Sequence, residues 1–184
     1  MGWVNEVSTS ITQSLGIVSG DAQSIDRLNL TEEGFWHSFV AIILILPIYL
    51  FAAGVAVEQV GGEDASPSAI GLTISLVIQW TIWPIVVAVV ARQMRWGANY
   101  LRYIVAYNWT SVWVMLVLLP PVVLFKLGVT NESITNLLVL ATFAAALWMR
   151  WFVARHGLKV SGEIAVLLVV ADLVLSTGID ALVT

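Results

Sequence analysis

Residues 103–125 read YIVAYNWTSVWVMLVLLPPVVLF and contain no charged side chain. A bilayer span needs roughly 20 predominantly apolar residues, and this stretch reaches that length. Lipid offers backbone amides and carbonyls no water to bond, so a segment of this kind is expected to be a helix. The pattern extends to the whole chain, because three further stretches also lack charge: residues 38–57, 65–91 and 133–149.

The composition of the 184-residue chain agrees with this interpretation. Hydrophobic residues make up 59% and charged residues 11%, whereas about a quarter of the residues in a soluble domain are charged. The chain has no cysteine, which excludes disulfides, thiolate metal sites and thioether-bound haem. The net charge is −4 and the sequence has no extended basic face, so nucleic acid is not an expected partner.

The predicted fold class is an all-α polytopic membrane protein with five transmembrane helices and an N-terminal amphipathic helix. Thr31 followed by two glutamates is a helix-start signal for the first span, because its hydroxyl can accept from exposed backbone N–H groups. Two units result, a cytoplasmic helix and linker in residues 1–34 and the transmembrane domain in residues 35–184. The predicted spans are residues 35–57, 69–91, 103–126, 134–152 and 163–182.

The first twenty residues have a helical pattern, whereas residues 19–30 are polar and predict a loop. At 100° per residue one face of the helix carries all the large apolar side chains and the opposite face is polar. Such a helix can lie in the membrane surface or pack on the cytoplasmic side of the protein itself. The predicted apolar face consists of Trp3, Val4, Val7, Ile11, Leu15 and Val18.

The distribution of positive charge predicts the orientation in the membrane. Lys and Arg are enriched in cytoplasmic loops, and with the N-terminus inside, Lys126 is the one positive residue on the opposite side. The N-terminus is therefore expected in the cytoplasm and the C-terminus across the membrane. The positive residues then assigned to the cytoplasm are Arg27, Arg92, Arg95, Arg102, Arg150, Arg155 and Lys159.

Asp172 is the most unusual residue, because it lies halfway along the fifth predicted span. A charged group at that depth costs roughly 2.5–3.5 kcal/mol on insertion scales. It is expected to form a proton or ion relay, to make a polar contact with another subunit, or to make a buried hydrogen bond that fixes helix packing. Matched depth predicts Gln79 of the second span as its partner. Asn108 is a further intramembrane polar candidate, expected to bond between helices.

The connector before the third span alternates arginines with aromatic residues. Such a surface is typical of a partner or lipid-headgroup site, and it is equally typical of an orientation signal with interfacial anchors. The candidate surface residues are Arg92, Arg95, Trp96, Tyr100, Arg102 and Tyr103. Catalytic and cofactor motifs are absent from the sequence. We therefore expect no enzyme activity, no catalytic or metal-binding residues and no cofactor.

Five closely spaced spans behind a cytoplasmic N-terminal segment, in under 200 residues, resemble the bacterial branch of the YIP family (Ypt-interacting proteins). The aromatic run of residues 103–109 supports the resemblance, whereas the motif Asp-Leu-Tyr-Gly-Pro of eukaryotic members is absent. The resemblance implies a bacterial inner-membrane protein, and eukaryotic relatives act as membrane adaptors for small GTPases. A shared fold does not by itself imply a shared role.

The sequence favours a non-catalytic membrane scaffold or accessory subunit. Its expected partners are membrane lipids and either another membrane protein or further copies of itself. The rival hypothesis is a small transporter or channel subunit that uses Asp172 and helices broken by Pro47, Pro84, Pro120 and Pro121. An intramembrane enzyme is a weaker third hypothesis, because the sequence lacks a recognisable catalytic set.

Overall fold

The computed structural model describes residues 3–60 and 68–183, except for the side chains of Trp3, Val4 and residues 56–60. Within these ranges every regular element is helical. The α-helices are α1 (Trp3–Val18), α2 (Glu32–Ser38), α3 (Ala41–Val60), α4 (Ala69–Gln93), α5 (Gly97–Lys126), α6 (Glu132–Leu158) and α7 (Gly162–Val183), and a 3-10 helix, Ala22–Arg27, lies between α1 and α2.

Five stretches of helix are long and apolar enough to cross a bilayer. The first runs through α2 and most of α3, over Glu32–Val55, and the others are α4, α5, α6 and α7. The chain is therefore an integral membrane protein, and the predicted all-α polytopic class is confirmed. At 1.5 Å per residue α5 is about 45 Å long, which exceeds the roughly 30 Å hydrocarbon core. Helix α5 must therefore either tilt or reach the headgroup region.

The first predicted span is not one uninterrupted α-helix. Between α2 and α3 the backbone tightens, and successive N–H groups bond three residues back, from Phe39 to Trp36 at 3.2 Å and from Val40 to His37 at 3.1 Å. The Ser38 hydroxyl donates to the Phe35 carbonyl at 2.7 Å and accepts from Asn108 at 2.8 Å. The break therefore places Ser38 where it can bond to α5.

Helix α5 is the centre of the bundle. It contacts α1, α2, α3, α4 and α6, whereas α7 packs between α4 and α6 at the edge. It approaches α6 closely at Gly157, where a Cβ atom would lie 3.0 Å from the Cα atom of Tyr103. Glycine at this position lets the two backbones meet, as small residues commonly do between membrane helices.

The end of the bundle that carries most of the positive residues is held together by side-chain contacts. We call it the basic end, and it consists of residues 92–102 and 155–162. Asn99 donates to the Leu158 carbonyl at 3.1 Å, and Arg102 donates through Nε to the His156 carbonyl at 3.3 Å. Arg102 also forms an ion pair with Asp26 of the 3-10 helix. The segment that follows α1 is thereby attached to the basic end.

The position of α1 agrees with the packing alternative, because it contacts α5, α6 and the 3-10 helix. The indole N–H of Trp113 on α5 donates to the Ser14 hydroxyl at 2.9 Å. Of the predicted apolar face, Val7, Ile11 and Val18 pack against the core, whereas Leu15 is 44% exposed. The side chains that are buried on α1 are Ser10, Ser14 and Ile17, and serine is small enough to let α1 approach α5 closely.

Two predictions about the linker have different outcomes. Thr31 is the N-cap of α2, and its hydroxyl accepts from the Gly34 N–H at 3.1 Å, as predicted. The predicted loop of residues 19–30 is wrong in part, because Asp21 caps the 3-10 helix by accepting from the N–H of Gln23. The predicted domain boundary after residue 34 falls within α2.

Candidate functional site: a polar cluster inside the bundle

Asp172 lies midway along α7 and is bonded to α5. The Tyr107 hydroxyl is 2.9 Å from one carboxylate oxygen of Asp172 and 3.1 Å from the other. Tyr107 is buried, whereas Asp172 is half-buried. The intramembrane acid therefore faces the protein interior, where a phenolic O–H satisfies part of its hydrogen-bonding capacity.

Arg150 of α6 completes the cluster from the other side of Tyr107. Its guanidinium carbon lies 3.9 Å from the centroid of the Tyr107 ring, and Nη1 donates to the Ser111 hydroxyl at 2.8 Å. Arg150 and Asp172 carry opposite charges and line the same cavity. Tyr107 thus links the two charged residues, because its ring contacts the cation and its hydroxyl contacts the acid. The polar cluster, defined as Tyr107, Ser111, Arg150 and Asp172, joins three helices.

The predicted pairing of Asp172 with Gln79 is wrong. The Gln79 amide instead donates to Asp180 at 2.6 Å and to Ser75 at 3.0 Å. The Ser75 hydroxyl donates to the same oxygen of Asp180. The prediction matched the depth of residues along straight helices. In the structure Gln79 of α4 instead meets α7 about two helical turns beyond Asp172, at Asp180. Gln79 and Asp172 nevertheless line one cavity.

That cavity has a volume of about 250 Å³ and lies between all five spans. Its walls are mainly aliphatic and aromatic, and the only formally charged side chains among them are Arg150 and Asp172. Trp80 also lines it, and the indole N–H of this buried residue makes no hydrogen bond to the described residues. A mainly apolar cavity with a few convergent polar groups is the usual composition of a small-molecule site.

Asn108 has the interhelical role predicted for it. Its side-chain amide donates to the Ser38 hydroxyl at 2.8 Å, which joins α5 to the end of α2. Its Oδ1 atom is buried and makes no hydrogen bond to the part of the chain that the structure describes. Asn108 is not among the residues that line the cavity. The three predicted intramembrane polar residues, Asp172, Gln79 and Asn108, therefore bond to different partners.

The residues of the predicted connector surface differ in exposure and in their contacts. Arg92 and Arg95 are exposed, and Trp96 and Tyr100 are half-buried. Arg102 is engaged with Asp26 and the His156 carbonyl. Tyr103 is buried, and its hydroxyl accepts from the Trp83 indole at 3.0 Å. Only the two exposed arginines and the half-buried aromatic residues beside them remain available to a partner.

The chemistry available in the polar cluster is hydrogen bonding, proton exchange and charge attraction. A carboxyl group and a phenol can exchange a proton, and a guanidinium can bind an acceptor. Among residues 3–60 and 68–183, no group of three or more His, Asp or Glu side chains is arranged to hold a metal ion.

Sequence reasoning identified Asp172 but missed its neighbours. Tyr107 and Ser111 are one helical turn apart, which places both on one face of α5. Arg150 follows immediately after a long charge-free stretch and was assigned to the cytoplasmic boundary. The polar pair inside an apolar helix was a signal that could have been used, whereas the inward position of Arg150 required the packing of α6 on α5.

The fold and the cluster together define a five-span α-helical integral membrane protein with a mainly apolar cavity between its spans. No family model, curated protein or solved structure matches the chain.

Proposed function

We propose that this protein is a non-catalytic scaffold or accessory subunit of a membrane complex, with its basic end in the cytoplasm and its C-terminus across the membrane. The proposed location is the bacterial inner membrane, in line with the architectural resemblance to the YIP family. Its proposed partners are membrane lipids and either another membrane protein or a second copy of the chain.

The observation that carries this proposal is that polar side chains between the spans are hydrogen-bonded to neighbouring helices. Asp172 is bonded to α5, Asp180 is bonded to α4, and Asn108 is bonded to α2. Hydrogen bonds of this kind join membrane helices and are worth about 0.6 kcal/mol on average. The arrangement supports a structural role for these residues in a bundle that presents surfaces to other molecules.

The proposed contact surface is the exposed part of the connector between α4 and α5. Arg92 and Arg95 are exposed there beside the half-buried Trp96 and Tyr100. Arginine and aromatic side chains are enriched at protein interfaces, and arginines near the membrane attract anionic lipid headgroups. These four residues therefore offer both kinds of partner the same basic, aromatic surface.

Site-specific photo-crosslinking in cells tests this surface. A photoreactive side chain placed at Arg92 or Arg95 should form one discrete protein adduct, or a dimer of this chain. Lys159 is the matched control, because it is exposed and basic and lies at the same end of the bundle. Equal adducts at Lys159, or no adduct other than lipid at Arg92 and Arg95, would remove the support for a protein contact there.

The cavity favours a second candidate, a small transporter or channel subunit. Asp172 lines the cavity midway along α7, and acids at this depth commonly belong to proton relays. Proton flux into vesicles containing the reconstituted protein tests the idea. The transporter hypothesis expects flux that Asp172→Asn abolishes while the protein stays folded, whereas equal flux in protein-free vesicles would count against it.

A further inference from the structure

The lining of the cavity between the spans changes in character along the bundle. On α5 it changes from Tyr107, on the side of the basic end, to Leu118. On α6 it changes from Arg150, again on the side of the basic end, to Phe143. Asp172 of α7 is bonded to Tyr107 and so lies at the same level. The charged groups of the cavity therefore lie toward the basic end, and the opposite end is mainly apolar.

The cavity matches one lipid chain in length and volume. The rise along α5 from Tyr107 to Leu118 is about 16 Å at 1.5 Å per residue, and one leaflet contributes about 15 Å of a 30 Å hydrocarbon core. A cavity of about 150 Å³ accommodates benzene, so the volume of about 250 Å³ holds roughly ten non-hydrogen atoms. The greater part of one acyl chain therefore fits between the spans.

The cavity borders the lipid-facing surface between α6 and α7. Phe143 of α6 and Leu173 of α7 both line it, and each is 38% exposed on the bundle. Both helices are spans, so apolar surface exposed at this depth faces lipid. Only these side chains therefore separate the cavity from the bilayer, and a chain can enter sideways without crossing water.

Arg150 provides unused donors at the charged end of the cavity. Its Nη1 atom donates to Ser111 at 2.8 Å and to the Tyr107 carbonyl at 3.5 Å, whereas Nε and Nη2 make no hydrogen bond to the described residues. Neither nitrogen is among the fully buried, unpaired atoms of those residues, so both have accessible surface. Both oxygens of Asp172, in contrast, already accept from Tyr107. The unused hydrogen-bonding capacity is therefore that of the arginine.

The position and chemistry of Arg150 suit a phosphate group. It is the first charged residue after the charge-free residues 133–149, as is typical of an arginine near the edge of the hydrocarbon core. A guanidinium binds phosphate through two parallel hydrogen bonds, and basic pockets between membrane helices bind lipid headgroups. An amphiphile with its head at Arg150 and its chain toward Leu118 matches the change along the lining.

From these observations we infer that the cavity binds a phospholipid, with one acyl chain between the spans and the phosphate at Arg150. The second chain stays in the bilayer outside α6 and α7. This site is distinct from the connector surface of Arg92 and Arg95, and the inference does not rest on the proposed scaffold role. It concerns the purified chain alone, so loss of a protein partner at the connector would leave it standing.

Lipid titration of the delipidated, full-length protein in detergent, followed by native mass spectrometry, tests the inference. Three probes share the oleoyl chain: dioleoylphosphatidylglycerol has the phosphate, dioleoylglycerol lacks it, and oleate has a carboxylate and a single chain. We expect the phospholipid to bind about ten- to a hundredfold more tightly than dioleoylglycerol, the range for a hydrogen bond to a charged group. Oleate should bind more weakly than the phospholipid.

Two pairs of substitutions locate the head and the chain of the lipid. Arg150→Gln should reduce the affinity for the phospholipid to that for dioleoylglycerol, whereas Arg155→Gln, at an exposed arginine of the same helix, should retain the difference. Ala146 lines the cavity, so Ala146→Leu should reduce binding of both lipids, unlike Ala144→Leu at an exposed position. If Ala146→Leu fails to fold, Leu118→Phe fills the same cavity.

Asp172→Asn tests the position of the head independently of Arg150→Gln. The substitution keeps an acceptor for the Tyr107 hydroxyl and removes the negative charge that opposes a phosphate in the same cavity. The dissociation constant of the phospholipid should therefore fall, and that of uncharged dioleoylglycerol should stay the same.

Several results would overturn the inference. These are equal affinity of the parent protein for phospholipid and dioleoylglycerol, a difference that survives Arg150→Gln, binding that is unaffected when the cavity is filled, and phospholipid binding that is weakened by Asp172→Asn. The absence of any bound lipid would also overturn it, as expected of a cavity that holds only water. Tightest binding of oleate would replace the phospholipid with a free fatty acid.

Discussion

Two acids of this protein are held by similar contacts in different surroundings. Asp172 accepts from Tyr107 inside the bundle and has the Arg150 guanidinium nearby. Glu6 of α1 accepts from the Asn29 amide at 2.6 Å and lies 2.8 Å from Nδ1 of His37 at the start of the first span. Each acid therefore joins separate helices through one neutral donor and one basic side chain.

The two contacts differ in whether water can solvate a charged group that has lost its partner. The side chains of Glu6 and His37 are 17% and 26% exposed, so water can solvate either group if the pair separates. Asp172 and Arg150 lie between membrane helices, where the surrounding lipid and apolar side chains offer no comparable solvation. Removing one partner should therefore cost more in the polar cluster than in the contact of Glu6.

The largest effect is expected from Arg150→Met. The substitution keeps a long apolar side chain but removes the cation from the Tyr107 ring, the bond to Ser111 and the charge that balances Asp172. The free energy of unfolding in detergent or bicelles should fall by about 1.5–3 kcal/mol, the range for a hydrogen bond to a charged group. Arg155→Met is the control, because Arg155 is exposed and its closest aromatic contact is Trp151. Equal losses in the two variants would contradict a special role for the cluster.

A smaller loss is expected from Asp172→Leu. Tyr107 would lose its acceptor, and unfolding free energy should fall by about 0.6–2 kcal/mol, the range for hydrogen bonds between membrane helices. Asp172→Asn keeps an acceptor for the Tyr107 hydroxyl and should be close to the parent in stability. If the leucine variant were as stable as the parent, the bond between α5 and α7 would contribute nothing to the fold.

Gln79→Leu extends the comparison to a contact without a basic side chain. It removes the amide that donates to Asp180 and Ser75, while the Ser75 hydroxyl continues to donate to Asp180. We expect a loss of about 0.6 kcal/mol for each of these two bonds, or about 1.2 kcal/mol in all. A loss as large as that of Arg150→Met would mean that charge balance is not what distinguishes the polar cluster.

The smallest effect concerns Glu6 and is controlled by pH. Burial disfavours the Glu6 carboxylate, but the hydrogen bonds from Asn29 and His37 outweigh burial and lower its pKa below the ordinary value. Its contribution to docking of α1 is therefore present above the ordinary glutamate pKa and is lost as the pH falls through the lowered pKa. Hydrogen exchange of α1, corrected for intrinsic rates, should accelerate over this range.

Glu6→Gln provides the control for the pH experiment. Asp21 also titrates at low pH, and its pKa is lowered by hydrogen bonds from Ser24 and Gln23. The part of the pH dependence that belongs to Glu6 should disappear in the glutamine variant and the rest should remain. An unchanged profile would assign the effect to Asp21 or to another carboxyl group.

Much of the fold was predictable because membrane insertion depends on local composition. Four charge-free stretches and the apolar run around Asp172 predicted five spans close to those observed, and Thr31 predicted the start of the first. The break at Ser38 was missed, because it depends on a hydrogen bond to Asn108 on a distant helix. In the candidate site, the sequence identified Asp172 because a charged residue midway along a span is unusual. It did not identify Tyr107 and Arg150 as neighbours of Asp172.

The sequence by itself determined that this chain crosses the membrane as helices, because backbone groups in lipid must bond within their own segment. It also determined which residues are too polar for the lipid face, because each carries a large transfer penalty. Tertiary structure alone decided the partners of those residues. Asp172 meets Tyr107 instead of Gln79, and Ser14 instead of Leu15 faces α5, because lateral packing and helix rotation depend on how side chains of all five spans fit together.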